Sequence, residues 1–142
     1  MVQDNNCIFC RIVSGDSPCH KVFESPGALA FMDIYPAADG HVLVLPRQHF
    51  EHIFEITDED MRAVAAAARR IACAQQRLLH PDGLSVVQAN GAAAGQTIMH
   101  YHVHLLPRVS GQKLRLHGPR PGDPERLAAL AEQLADQLRA IP

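Results

Sequence analysis

At 142 residues with 47% hydrophobic side chains, the chain is long enough for one domain with a sizeable core and too apolar for a disordered segment. Its 13 basic and 15 acidic residues leave a formal net charge of −2 at pH 7, which gives no footing for nucleic acid or an anionic membrane surface as a partner. No apolar run approaches the length of a membrane span.

Residues 1–6 are polar and lack the blocks of a signal peptide, so a cytoplasmic location is expected. In a reducing compartment the four cysteines, Cys7, Cys10, Cys19 and Cys73, are not expected to form a disulfide framework. Cys7-x-x-Cys10 reads as half of a metal site, with His49 and His100 as candidates for the other two ligands of a four-coordinate zinc. A pair of buried thiols is the equally weighted alternative. Residues 7–13 are short and apolar and end at the turn signal Ser14-Gly15-Asp16. Residues 21–24 and 28–33 read as two strands joined across Ser25-Pro26-Gly27. Asp33 closes the second, either to accept hydrogen bonds from sugar hydroxyls or simply to form a turn. Ile8, Phe9, Ile12 and Phe31 offer an apolar slot for a base or an ordinary piece of core.

Residues 41–45 make a largely apolar strand ended by Pro46. A helix opens at Thr57, with Asp60 placed as in a capping box, carries Met61, Val64, Ala65, Ala68, Ile71, Ala72 and Leu78, and stops at His80-Pro81-Asp82-Gly83. A strand follows at residues 84–88. The loop 90–97, rich in small residues, lets a backbone approach a ligand, with its N–H groups and the side chains of Gln96 and Thr97 as anion donors.

Next comes the run His100-Tyr101-His102-Val103-His104-Leu105-Leu106-Pro107-Arg108. Period-2 alternation predicts a strand with the three imidazoles on one face and Tyr101, Val103 and Leu105 turned to a core. Imidazole serves as nucleophile, proton carrier or metal ligand, so such a row points to chemistry. Between Arg108 and Asp123 a Gly/Pro-rich basic stretch is expected as a flexible surface segment, with His117, like His20, His52 and His80, a surface or capping residue. A last helix opens at Asp123-Pro124-Glu125, with the apolar stripe Leu127, Leu130, Ala131, Leu134 and Leu138.

Five segments in order resemble the histidine triad (HIT) superfamily, close to its Hint branch: residues 7–12, 31–36, 40–49, 90–97 and the histidine run. The resemblance covers roughly residues 5–110. It implies an α+β fold, a five-stranded antiparallel sheet with a long helix packed on it, here followed by a C-terminal helix, and homodimers. The organisation expected is a HIT domain over residues 1–110 and an extension over 111–142 belonging to the same single domain. The implied activity is hydrolysis or transfer at the α-phosphorus of nucleoside 5′-monophosphate derivatives, such as AMP phosphoramidates, adenylyl conjugates or dinucleoside polyphosphates. The nucleotide would be a purine, adenosine by analogy. By position His102 matches the nucleophile that becomes nucleotidylated, His104 and His41 line the phosphate, and Gln96 and Thr97 donate to it. Asp33 matches the ribose acid, with Ile8, Phe9, Ile12, Phe31, Ile34 and Leu43 around the nucleoside and Asn90 and Gly95 in the loop beside it. In relatives that keep the CxxC, both cysteines and two histidines hold a structural zinc; these map to Cys7, Cys10, His49 and His100. Two other readings compete: a metal-dependent hydrolase with the three histidines as ligands, and a nucleotide-binding protein with negligible turnover.

Overall fold

A computed structural model describes residues 3–142; Met1 and Val2, the start of the polar N-terminal stretch, lie outside it. The elements run α1 (Ile8–Ser14), β1 (Lys21–Glu24), β2 (Ala28–Met32), β3 (Val42–Pro46), α2 (Asp58–Leu79), β4 (Gly83–Gln88), a single 3-10 turn (Ala92–Ala94), β5 (Val103–Arg108) and α3 (Pro124–Leu138). The strands form one five-stranded sheet, β1-β2-β3-β5-β4, antiparallel throughout. This is the α+β architecture expected, and the caps fall where the sequence sets them. The Thr57 hydroxyl accepts the Asp60 N–H at 3.1 Å, and Asp123 accepts the Glu125 N–H at 3.2 Å beside Pro124.

Both faces of the central strands are covered, which is why β2 and β3 read as near-continuous apolar runs. Under α2 and α3 lie Ala30, Met32, Val44, Tyr101, Val103 and Leu105, packed on Val64, Ile71, Leu130 and Leu134. On the opposite face α1 lays Phe9 and Cys10 against Leu29, Phe31, Leu43 and Leu45. Buried Gln75 ties α2 to the sheet by donating to the carbonyls of Gly40 (2.9 Å) and Leu105 (3.2 Å), so the chain entering β3 is held from above. The inner face of α2 includes Ala67 and Ala74, while Ala65, expected inside, is exposed; in an alanine-rich helix the apolar pattern fixes the phase poorly.

Residues 8–14, to which the pattern assigned no element, form a helix, started by the Cys7 sulfur accepting the Cys10 N–H at 3.4 Å. One local outcome differs from the pattern reading: the histidine run is not one strand, since pairing begins only at Val103. The register sets Val44 opposite Val103, so extending it would set Pro46, which has no N–H, opposite Tyr101. The Tyr101 N–H bonds to the Phe50 carbonyl instead, at 2.6 Å. The in–out alternation survives, with Tyr101, Val103 and Leu105 all in the core beneath the helices. Among the described residues no helix is long and apolar enough to cross a membrane.

Candidate active site

The departure from the ladder before Val103 turns the His100 carbonyl onto the ring of His102. His102 Nδ1 lies 2.6 Å from that oxygen, and a carbonyl only accepts, so Nδ1 carries the proton. The lone pair is then on Nε2. The Phe9 ring stands edge-on to the imidazole at 5.1 Å between centroids and restricts its rotation. Burial pushes the His102 pKa below the ordinary imidazole value, which keeps that lone pair unprotonated.

A second backbone group sets the neighbouring pair. The Ala37 N–H donates to His41 Nδ1 at 3.1 Å, so His41 carries its proton on Nε2. That Nε2–H points at His104 Nδ1, 3.0 Å away, and His104 therefore holds its own proton on Nε2. Asp33 Oδ2 stands 3.5 Å from His41 Nε2, but burial drives both His41 and His104 down to about 3, so the contact joins a carboxylate to a neutral ring. The result is one imidazole presenting a lone pair and one presenting an N–H, with ring centroids 4.9 Å apart.

Both rings line a largely apolar cavity of about 600 Å³. Ten of the expected residues meet there: Ile8, Phe9, Ile12, Phe31, Asp33, Ile34, Leu43, Thr97, His102 and His104. Cys19, Tyr35 and Ile98 also line it, unforeseen from sequence. Asp33 accepts the Tyr35 N–H at 2.8 Å through Oδ1, while burial raises its carboxyl pKa.

The glycine loop departs from expectation. Gln96 is 3% exposed and spends its amide on the backbone, Nε2 donating to Glu51 O and Ile98 O and Oε1 accepting the Gly91 N–H. It shapes the loop and offers no donor to the cavity. Asn90 pairs with the Gln88 amide and accepts the Ile53 N–H, and it too lies away from the cavity. The N–H groups of residues 91 and 94–96 are likewise bonded within the loop, so they form no anion cradle. Gly95, at φ +99°, contributes its carbonyl, which accepts from His117 Nε2 at 3.1 Å. His117 is exposed, as expected of a surface residue, and it also lines the cavity, which the sequence reading did not foresee. Its segment is strapped down by Gly118 N–H to Tyr35 O (2.9 Å) and Gly122 N–H to Ile34 O (2.8 Å). A Cβ on Gly118 would stand 2.0 Å from the Pro36 oxygen, so only glycine permits this approach.

His100 faces away from the other two triad rings. Its Nε2–H donates to Pro46 O at 2.9 Å, leaving the Nδ1 lone pair aimed at Cys7 Sγ (3.5 Å) and Cys10 Sγ (3.6 Å). His49 Nδ1 is 3.3 Å from Cys10 Sγ, and all four ligand atoms lie within 4.8 Å of one another. Tetrahedral coordination at zinc bond lengths needs ligand separations of about 3.3–3.8 Å. Burial, reinforced by the Cys7 sulfur, pushes the Cys10 thiol up to about 11, a penalty that a cation between the sulfurs would relieve. The donor set fits a metal ion. The three-histidine metal site fails on this geometry, because His100 belongs to the cysteine cluster while His104 groups with His41 and Asp33.

The HIT domain family model matches residues 14–111. The chain is similar to the adenosine 5′-monophosphoramidase of Schizosaccharomyces pombe, at 35% identity over 136 residues, covering 94% of this chain and 99% of that protein. Among solved structures it resembles a Hit-like protein from Bartonella henselae (33% identity, TM-score 0.88, 96% of this chain and 99% of that one). A zinc-bound histidine triad family protein from Mycobacterium smegmatis also superposes (36% identity, TM-score 0.82, 94% of each chain).

Buried neutral histidines make stability pH-dependent. His41 and His104 take up protons more readily unfolded, near 6.5, than folded, near 3. Their contribution is complete above about pH 6.5 and is lost as pH falls through that window, at up to about 1.4 kcal/mol per pH unit for each group. Urea unfolding at pH 7, 6 and 5 with excess zinc is expected to show this decline, shallower in His104→Asn. A profile flat between pH 7 and 5 contradicts the neutral pair.

Proposed function

The chain belongs to the HIT family, and we propose that it is a nucleotidyl hydrolase or transferase acting at the α-phosphorus of adenosine 5′-monophosphate derivatives, phosphoramidates foremost. The observation that carries this reading is the hydrogen bond from His102 Nδ1 to the His100 carbonyl, which leaves Nε2 as a nucleophile in the cavity. His102 attacks phosphorus, the leaving group departs, and water hydrolyses the nucleotidyl-histidine, so one difficult displacement becomes two easier ones. The His104 Nε2–H and the Thr97 side chain meet the charge on the phosphoryl oxygens. Asp33 holds the ribose hydroxyls, and the slot of Ile8, Phe9, Ile12, Phe31, Ile34 and Leu43 takes the purine. Gln96, Asn90 and Gly95 act one step back, by fixing the loop.

Cys7, Cys10, His49 and His100 hold a zinc ion in this reading. Four protein ligands leave no open position, so its contribution is structural, clamping α1 to the segment before β5. The exposed edge strand β4 and an apolar groove lined by Met61, Ala65, Ala68, Ala72 and Val86 support a homodimer. Residues 1–110 and 111–142 form a single domain, since α3 completes the core on α2, and the free cysteines suit the cytoplasm.

Intact-protein mass after brief mixing with an AMP phosphoramidate tests the mechanism. The wild type is expected to gain a nucleotidyl mass. His102→Asn is expected to gain none and to lose turnover by on the order of 1,000-fold or more while still binding AMP. Wild-type turnover in that variant would remove His102 as nucleophile. Binding of AMP without consumption in the wild type would make the protein a nucleotide binder.

Metal analysis tests the cluster. Purified protein is expected to carry about one zinc per chain, and stripping it with a chelator to lower the Tm by several degrees, as does Cys10→Ser. Protein that binds no zinc and melts unchanged with it would contradict the assignment.

A further inference from the structure

Four imidazoles gather at one end of the cavity: His102, His104 and His117 line it, and His41 stands buried behind His104. Three of them are buried. The tautomers of those three are set by the backbone and by each other: His102 offers a lone pair, and His41 spends its proton on His104. His102 has its Nδ1–H on the His100 carbonyl and its Nε2 pair committed to phosphorus, and burial disfavours the cationic form of His41 and His104, so none of the three supplies a proton to the leaving group. The chemistry nevertheless needs one. An alkylamine leaves phosphorus badly unless its nitrogen is protonated as the bond breaks.

His117 is the fourth ring, and it is exposed to water while lining the same cavity. Its centroid lies 5.8 Å from that of His104, nearly perpendicular to it. Its Nε2–H is held by the Gly95 carbonyl at 3.1 Å, which leaves Nδ1 as the atom that gains or loses a proton. The titratable groups facing it are His104 and, further in, His102, His41 and Asp33, with Tyr35 on the stretch that anchors Gly118. Asp33 is a poorer donor, because its Oδ1 already accepts the Tyr35 N–H and its Oδ2 faces His41.

We propose that His117, delivered by the glycine-anchored strap after β5, is the proton carrier for the leaving group, an assignment that rests on the nucleotidyl-transfer reading above. In the first step the His102 Nε2 pair forms the bond to phosphorus. The bond from phosphorus to the amine nitrogen breaks, its electron pair stays on that nitrogen, and the proton on His117 Nδ1 moves to it. In the second step water attacks phosphorus and gives its proton to His117 Nδ1, while the bond to His102 breaks and its pair returns to Nε2. Water is consumed, amine and AMP are released, and both imidazoles end as they began.

The test compares wild type with His117→Gln on two substrates. Glutamine keeps an N–H donor for the Gly95 carbonyl and cannot carry a proton. For an alkylamine phosphoramidate of AMP, kcat/KM is expected to fall by about 100-fold or more. For the p-nitrophenyl ester of AMP, whose leaving group departs as a stable anion, kcat/KM should stay within about threefold, since it covers only the steps through bond cleavage. A burst of nitrophenolate followed by slow turnover is expected there, because the second step lacks its base. Equal losses on both substrates would make His117 a structural residue, and no loss on either would remove it from the reaction; each overturns the proposal while the parent reading stands. Wild-type protein that consumes neither substrate overturns the parent reading and this one with it, whereas His102→Asn is expected to lose both substrates alike.

Discussion

One hydrogen bond organises this site: the His100 carbonyl accepting from His102 Nδ1. A histidine offers its lone pair from either ring nitrogen, and in solution the choice is nearly free. Here a backbone oxygen makes it, and Nε2 is left bare in the cavity. The bond exists because the chain has left the β ladder, where Pro46 opposite would supply no donor. His100 itself is held at two points, its Nε2–H on the Pro46 carbonyl and its Nδ1 at the cysteine sulfurs. One residue therefore joins the cysteine cluster, through its side chain, to the His102 ring, through its main chain. Through that continuity a metal held by the cluster would, under the proposed function, also keep the attacking ring aligned.

The same economy runs through His41 and His104. An amide N–H at Ala37 fixes the first ring, the first ring fixes the second, and the second faces the cavity as a donor. Burial keeps these rings neutral, so in the proposed reaction the site would meet phosphate with aligned dipoles and leave His102 unprotonated for attack. A positively charged cluster would attract the anion more strongly and lose the attack. Because the donors are already in place, little reorganisation remains for the moment of reaction.

The sequence pattern made much of this legible. Strand bounds at 21–24 and the helix caps at Thr57 and Asp123 follow from local chemistry and stand where the residues place them. The Cys/His cluster was legible as a set of candidates, because a CxxC restricts its partners. What local pattern could not carry was the direction of polar side chains. Gln96 and Asn90 carry donors at the position a phosphate site would use, yet both are consumed by carbonyls and amides distant in sequence, Glu51 and Ile53 among them. His117 lay in a Gly/Pro-rich stretch with no periodicity, and its place depends on Gly118 meeting Tyr35 more than 80 residues earlier. The close approach that only glycine allows there was the available signal, visible once the two segments are adjacent. The split of the histidine run, one ring to the cysteines and two to the cavity, likewise came from a proline on another strand.

The claim on which the rest stands is the tautomer of His102. Nitrogen-15 NMR of the labelled imidazoles at neutral pH reads it directly through two-bond couplings to the ring protons. His102 is expected to be protonated at Nδ1 with a bare Nε2, beside His41 and His104 protonated at Nε2. A His102 ring protonated at Nε2, or at both nitrogens, would leave no lone pair for phosphorus and contradict the mechanism.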